Sequence, residues 1–489
     1  MLTRLKVKGF KNLVDVDIRF GPLTCIAGPN SVGKSNLFDA IRFFSELADK
    51  PFIEAARSVR GGEDIGSLFT ANHPTKMELL AEMVIPAKGF DDFGQPAKAG
   101  ANFLRYELIL TLEKSDDQGG TPRIRLDSEK LGYITKADSE DALGFIHSKA
   151  WRESVISASG RKATYITTAL DDNRGSVIRL QSDRMLAEGK SQAGGGKSFA
   201  FLAKSLPRTV LSSAQNAEES RTAVLVRQEM RNWKQLQLEP SSLRKVDEFD
   251  SPQKIDSTGA HIPAALWRLV NGKGESQASA VTASIANSLS NLVERVQSVR
   301  VDKDEVRRTL RFMMTDEDGL ELPASSLSDG TMRFVALAAI EQDPDETGLL
   351  CLEEPENGIH PQRVDAILDL LYRIVVDVDS PIGEDNPLRQ VIVSTHSPVL
   401  AGRVDREDCV FARVRYHGIG KNRVSGLNLV GLSGSWRAIN SAEYIADGDA
   451  IAYLQASGFI DAPIAFERSV AGKFKGQLAF PFQVHEKSP

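Results

Sequence analysis

The chain has 489 residues, a formal net charge of −6, 41% apolar and 26% charged residues. That balance belongs to a folded globular protein and excludes a largely disordered chain or one that coats nucleic acid through overall basicity, so any contact with DNA has to be regional. The length allows two to four domains, or one large domain with insertions. No run of about 18 apolar residues occurs, so no membrane-spanning helix is expected. Met1 to Lys8 alternates apolar with basic residues and has no signal-peptide core, and Cys25, Cys351 and Cys409 sit singly in apolar runs, so a cytoplasmic location with buried, reduced thiols is expected.

In chain order, Leu5 and Val7 alternate against Arg4, Lys6 and Lys8, and Val14, Val16, Ile18 and Phe20 follow before a Gly21-Pro22 turn, which predicts strands. The apolar run Leu23–Ala27 then leads into Gly28-Pro29-Asn30-Ser31-Val32-Gly33-Lys34-Ser35. Leu37, Ile41 and Phe44 mark one face of a helix beyond it. Strand, G-x-x-x-x-G-K-[ST] loop and helix together form a phosphate-binding loop. Its backbone N–H groups and helix N-terminus would take a triphosphate, Lys34 would reach the β- and γ-phosphates, and Ser35 would offer a hydroxyl to Mg²⁺.

Segments at about 76–135 read as antiparallel strands, a β-subdomain beside the nucleotide. Residues 136–298 read as an insertion with helical stretches near 214–235 and 277–298, and no heptad run predicts a long coiled coil. Gly194 to Ser198 imitates half a phosphate loop, but Ser191 replaces the first glycine and no strand precedes it.

Leu327-Ser328-Asp329-Gly330-Thr331 opens a helical run, Met332–Ile340, where the serine and glycine are equally a helix cap and an anion site. Leu349–Leu352 predicts a buried parallel strand that ends in Glu353-Glu354. Beside a triphosphate one carboxylate would support the metal and its neighbour would activate water. A helix with Val364, Ile367, Leu371 and Ile374 inward is expected after Pro361. Val391–Thr395 predicts a further buried strand ending at His396, placed to meet a γ-phosphate or the attacking water.

This ordered set resembles an ATPase of the ABC class, in the branch of RecF, structural-maintenance-of-chromosomes (SMC) and overcoming-lysogenization-defect (OLD) proteins. The resemblance covers about 1–135 and 299–400. It implies an α/β P-loop head, a mixed sheet flanked by helices plus an antiparallel β-subdomain. The head would be formed by 1–135 and 299–420, with an insertion at 136–298 and an extension at 421–489.

The resemblance assigns Gly28–Ser35 and Asn36 to ATP. It gives Ser35 and Glu353 to Mg²⁺, Glu354 to the general base, His396 to the γ-phosphate switch, and Ser328 and Gly330 to a signature acting in trans across a head-to-tail homodimer or higher homo-oligomer. Glu353 stands where relatives commonly carry Asp. The glutamine loop has no clear place; Gln181 is the candidate the sequence offers, and it reads more simply as structural.

The string Glu353–Pro361 is most similar to compact ATPases of bacterial anti-phage systems, which control a separate nuclease or toxin. A nuclease site at Asp447-Gly448-Asp449 is not expected, because the preceding segment makes a poor core strand. The leading expectation is an ATP-driven regulatory subunit. The alternative is a RecF-like DNA-repair or chromosome-maintenance clamp using Arg4, Lys6 and Lys8, or Arg307, Arg308 and Arg311.

Overall fold

A computed structural model describes residues 1–456 apart from 72–73, 114–121, 158–163, 172–174, 184–197, 272–274, 294, 419–422 and 440–442. Two sheets organise it. The larger is antiparallel and eight-stranded. Its strands Leu2–Phe10 and Leu13–Arg19 stand at one edge, followed inward by Lys76–Val84, Phe103–Glu113 and Arg123–Tyr133, and then by Ile166–Asp171, Gly175–Gln181 and Ser198–Leu202. Alternation explains the first strand: Leu5 and Val7 are fully buried, whereas Lys6 is exposed.

The second sheet is mixed and carries the nucleotide motifs. Lys234–Leu236, Gly348–Glu353, Arg389–Thr395, Leu23–Ala27 and Cys409–His417 run parallel, and Val424–Leu432 then returns antiparallel. Every residue of Arg389–Thr395 is buried, and so is Gly348–Leu352, because this sheet is covered on both faces. Leu349, Cys351 and Ile392 point into one core, with Phe38, Phe44 and Tyr106. Leu350, Leu352, Val391 and Val393 point into the other, with Phe334, Leu337, Ile367 and Leu371. A continuous apolar run is therefore required of both strands, since neither face meets water.

The helix Lys34–Glu46 fills the space between the two sheets. Phe44 stacks on Trp233 with ring centroids 6.3 Å apart and meets Tyr106 edge-on at 5.6 Å. Burying one such ring contributes about 2–3 kcal/mol. The helix Asp329–Gln342 lies on the opposite face of the nucleotide sheet, capped by Ser328, whose Oγ accepts from the Thr331 N–H at 3.2 Å.

Residues 136–298, expected as an insertion, are divided between both sheets. Ile166–Leu202 supplies three strands to the antiparallel sheet, and Lys234–Leu236 forms the edge of the nucleotide sheet. The outer strands are half-exposed, so their alternation is weak, and a three-residue edge strand is too short to show a period. The expected helices are Ala217–Arg231 and Glu275–Ser290. Val424–Leu432, expected in the extension beyond 420, belongs to the nucleotide sheet. The longest helix among the described residues has 16 residues. No helix among them is long and apolar enough to cross a membrane. The Gly194–Gly196 imitation lies outside the described residues, and all three cysteines are buried free thiols.

Candidate ATP-binding site

Gly28 to Ser35 leaves the end of Leu23–Ala27 and enters the helix at Lys34. The Gly28 N–H donates to the Thr395 carbonyl at 3.2 Å, which anchors the loop's first residue to the neighbouring strand. A Cβ at Gly28 would stand 2.7 Å from the Ala412 carbonyl oxygen, so the backbones approach as closely as only glycine allows. Gly33 has φ +108° and caps the helix with no side-chain bond to its N–H groups. The Asn36 N–H already donates to the Gly33 carbonyl at 3.0 Å, so it is the N–H groups of Lys34 and Ser35 that no side chain caps and that could receive an anion at the positive end of the helix dipole.

The outer wall of the loop is held by Asn12. Its Nδ2 donates to the Val32 carbonyl at 3.0 Å, and its Oδ1 accepts from Asn36 at 2.8 Å. Gly33→Ala would place a methyl 2.1 Å from Asn12 Nδ2 in a left-handed conformation. The backbone term alone costs about 1–2 kcal/mol of folding stability, so the melting temperature read by differential scanning calorimetry should fall by about a few degrees.

Lys34 is 7% exposed, and its Nζ donates to the Gly28 and Pro29 carbonyls, the latter at 2.8 Å. Burial pulls its pKa down, while Glu354, Glu353 and Glu356 pull it up. Ser35 Oγ donates to Glu353 Oε2 at 2.8 Å. A hydroxyl beside a single carboxylate is the donor set that Mg²⁺ takes when phosphate and water complete its shell. The residues therefore fit the ion, Glu353 being long enough to reach Ser35 despite departing from the family's Asp. Among the described residues no group of three or more His, Cys, Asp or Glu side chains could hold a metal ion alone.

Glu353 is held by two further residues that the motifs did not single out. Arg60 Nη2 lies 2.9 Å from Glu353 Oε1 and 2.9 Å from the Ser35 carbonyl, and Gln235 Nε2 lies 2.9 Å from the same carboxylate oxygen. Arg60 is itself fixed by Asp39, 2% exposed, which also binds Lys11 at 2.7 Å. Gln181 ends a strand of the other sheet. It is Gln235, on the edge strand beside Gly348–Glu353, that stands at the acidic pair. Spacing gave no signal for Arg60 or Gln235, because both reach the site only through tertiary packing.

Glu354 has φ +50°, a left-handed conformation unusual for a side chain of this size, and its N–H donates to the Ser394 carbonyl at 2.8 Å. The turn carries its carboxylate to His396, whose Nδ1–H donates to Oε1 at 2.6 Å, while Asn357 Nδ2 donates to Oε2 at 2.9 Å. Both side chains remain partly open to solvent, Glu354 at 28% and His396 at 44%. Strain of this kind persists where surrounding bonds over-determine it, which is the condition of a functional turn.

Ser328 and Gly330 are placed elsewhere. Ser328 Oγ is bonded to Thr331, Arg244 Nη2 donates to the Leu327 carbonyl at 2.8 Å, and a Cβ on Gly330 would meet the Gly358 carbonyl oxygen at 2.3 Å. The signature thus packs on the turn that follows the acidic pair, while Lys34, Ser35, Glu353, Glu354 and His396 gather at the ends of three adjacent parallel strands.

Four of the six cations considered for DNA have a carboxylate partner. Arg4 lies 2.7 Å and Lys6 3.9 Å from Asp17; Arg307 and Arg311 lie 3.1 and 3.4 Å from Asp304. Asp447 pairs with Arg406 at 2.8 Å, a structural use for the first of the two aspartates in Asp447-Gly448-Asp449.

A phosphate loop, an acidic strand end and a strand-end histidine side by side in a mixed sheet, with an antiparallel β-subdomain, define a P-loop ATPase head of the ABC class, in the RecF, SMC and OLD branch. Residues 23–402 match the family described as "AAA domain, putative AbiEii toxin, Type IV TA system", and the chain belongs to it. The OLD nuclease of Thermus scotoductus is 24% identical over 430 residues, 84% of this chain and 63% of its own length. The chain therefore spans somewhat less than two thirds of that relative. The DNA replication and repair protein RecF of Lactobacillus delbrueckii subsp. bulgaricus is 32% identical over 89 residues, 18% of this chain and 23% of that protein. A solved Smc head bound to the C-winged helix domain of ScpA superposes with a TM-score of 0.40 at 14% identity, covering 88% of this chain and 98% of that one.

Proposed function

We propose that the protein binds and hydrolyses ATP in a head-to-tail homodimer, and that dimer closure controls a separate effector, a nuclease or toxin of a bacterial anti-phage system. The observation that carries the hydrolytic reading is the Glu354–His396 pair, 2.6 Å apart on a left-handed turn beside the phosphate loop. Lys34 and the N–H groups of Asn30 to Ser35 bind and orient the triphosphate. Ser35 and Glu353 would hold Mg²⁺, which would neutralise phosphate charge as the terminal bond breaks. Glu354 takes the proton of the attacking water, and His396 fixes its carboxylate and faces the γ-phosphate. Ser328 and Gly330, packed away from the phosphate loop of their own chain, complete the site of a second copy. The family's description and the nuclease named among its relatives support the effector class. ATP would then act by shifting the population of open and closed dimers.

Complementation tests the trans arrangement. Lys34→Ala removes the phosphate ligand and Ser328→Arg blocks the signature, so each homodimer should be inactive. Mixed at equal amounts, half the dimers carry one intact composite site of two, and phosphate release should recover to about a quarter of the unsubstituted rate, as symmetry requires. No recovery would place both halves of the site on one chain.

A further inference from the structure

Glu356 is a carboxylate that the ATPase chemistry leaves unused and that folding alone does not favour. It is 9% exposed, its Oε2 has no hydrogen-bond partner, and burial pushes its pKa up. A buried oxygen without a partner is destabilising, a cost that an apolar residue would avoid. Its other oxygen, Oε1, accepts from Thr395 Oγ1.

Thr395 is fully buried, and each of its polar atoms ties down a different segment of the site. Its carbonyl accepts from the Gly28 N–H, the entry to the phosphate loop, at 3.2 Å. Its Oγ1 accepts from the Ser397 N–H at 2.8 Å, on the far side of His396, and donates to Glu356, two residues after Glu354. The neighbouring Ser394 carbonyl takes the Glu354 N–H at 2.8 Å. One hydroxyl thus joins the acidic turn to the histidine turn, and the same residue's backbone joins both to the phosphate loop. A threonine donates a single proton; committed to Glu356, it leaves its lone pairs for Ser397.

We infer that Glu356 is a positioning residue for ATP hydrolysis, which acts through Thr395 to hold the Glu354–His396 pair in register with the phosphate loop. It binds no substrate. Its acceptor oxygen sets the direction of the Thr395 hydroxyl, and that direction sets where His396 begins. Loss of the acceptor frees the hydroxyl to rotate and the histidine turn to drift, and misplacement by about 1 Å costs on the order of 10²-fold in rate.

The turnover arm of the test rests on the hydrolytic reading above; the exchange arm does not. With full-length protein and ATP, Glu356→Ala should lower kcat by about 10²-fold while the KM for ATP changes by less than about threefold. Glu356→Gln, which keeps an acceptor oxygen toward Thr395, should restore kcat to within about threefold. Thr395→Val should match Glu356→Ala, Thr395→Ser should not, and the double variant Glu356→Ala/Thr395→Val should be no slower than either single one, since both cut the same link.

Amide hydrogen exchange without nucleotide reads the same link in every variant that folds. Peptides covering Gly28–Lys34 and Ser394–Ser397 should exchange faster in Glu356→Ala and as in the unsubstituted protein in Glu356→Gln. Equal loss in Glu356→Gln and Glu356→Ala would assign the role to the charge and overturn the inference, as would additive losses in the double variant or unchanged exchange in both peptides. If Glu356→Ala does not fold, the Thr395→Val and Thr395→Ser pair decides: equal rates and equal exchange in the two overturn it. If the unsubstituted protein releases no phosphate from ATP, the hydrolytic reading fails, and exchange still decides the link.

Discussion

Replacing Glu354 by Gln should lower kcat for ATP hydrolysis by about 10³-fold, within the range for removal of a general base, and leave ATP binding almost intact. The amide keeps the size and the left-handed turn at φ +50°, and its oxygen can still accept the Nδ1–H of His396. What it loses is the ability to take a proton from water. Lys34 and the loop N–H groups, to which the phosphates are assigned, are untouched. The expected result is therefore a loss in kcat without a matching rise in the dissociation constant, read by phosphate release and by titration calorimetry. Because ATP is bound and not consumed, size-exclusion chromatography with light scattering should also find a dimer that persists in ATP. Hydrolysis at the unsubstituted rate would remove Glu354 from the role of base.

Lys34→Ala should act at the other end of the reaction, weakening ATP binding by about 150- to 5,000-fold, the roughly 3–5 kcal/mol expected when one partner of a buried ion pair is removed. Lys34 is 7% exposed in a pocket that also feels Glu353, Glu354 and Glu356. Without its ammonium the triphosphate would enter a site whose nearest fixed charges are carboxylates, with Arg60 already committed to Asp39 and Glu353. The same substitution leaves the buried Gly28 carbonyl without its Lys34 partner, while Pro29 is exposed and its carbonyl turns to water, so the melting temperature should fall by about a few degrees. Calorimetry in which Lys34→Ala binds ATP as tightly as the unsubstituted chain would overturn its assignment to the phosphates.

Much of this protein was legible before any coordinates. Gly28–Ser35 needs only eight consecutive residues, and the requirement for glycine there is local: Gly33 adopts a positive φ, and Gly28 leaves no room for a Cβ. The runs Leu349–Leu352 and Val391–Thr395 announce strands covered on both faces because every side chain in them is buried. His396 and the acidic pair follow directly from where those strands end. The boundaries in the middle of the chain were less visible. Ile166–Asp171 is half-exposed, and Lys234–Leu236 is three residues long, so hydrophobic period carried little information about which sheet would accept them.

Short stretches of chain specify which chemical groups the protein owns: a phosphate loop, two adjacent carboxylates, a strand-end histidine and a serine–glycine helix start. Each depends on neighbours a few residues apart, and local geometry fixes it. Which of them meet is set by the packing of the whole chain. The parallel pairing of Glu353 with Ser394 and of Thr395 with Ala27 sets the acidic pair, the histidine and the phosphate loop side by side. The same packing brings Arg60 and Gln235 onto Glu353 from 293 and 118 residues away and sets Gly330 against Gly358. Sheet order and side-chain reach are properties of the whole core. No window of sequence contains them, because the free energy that selects one strand neighbour over another is the burial of both faces at once.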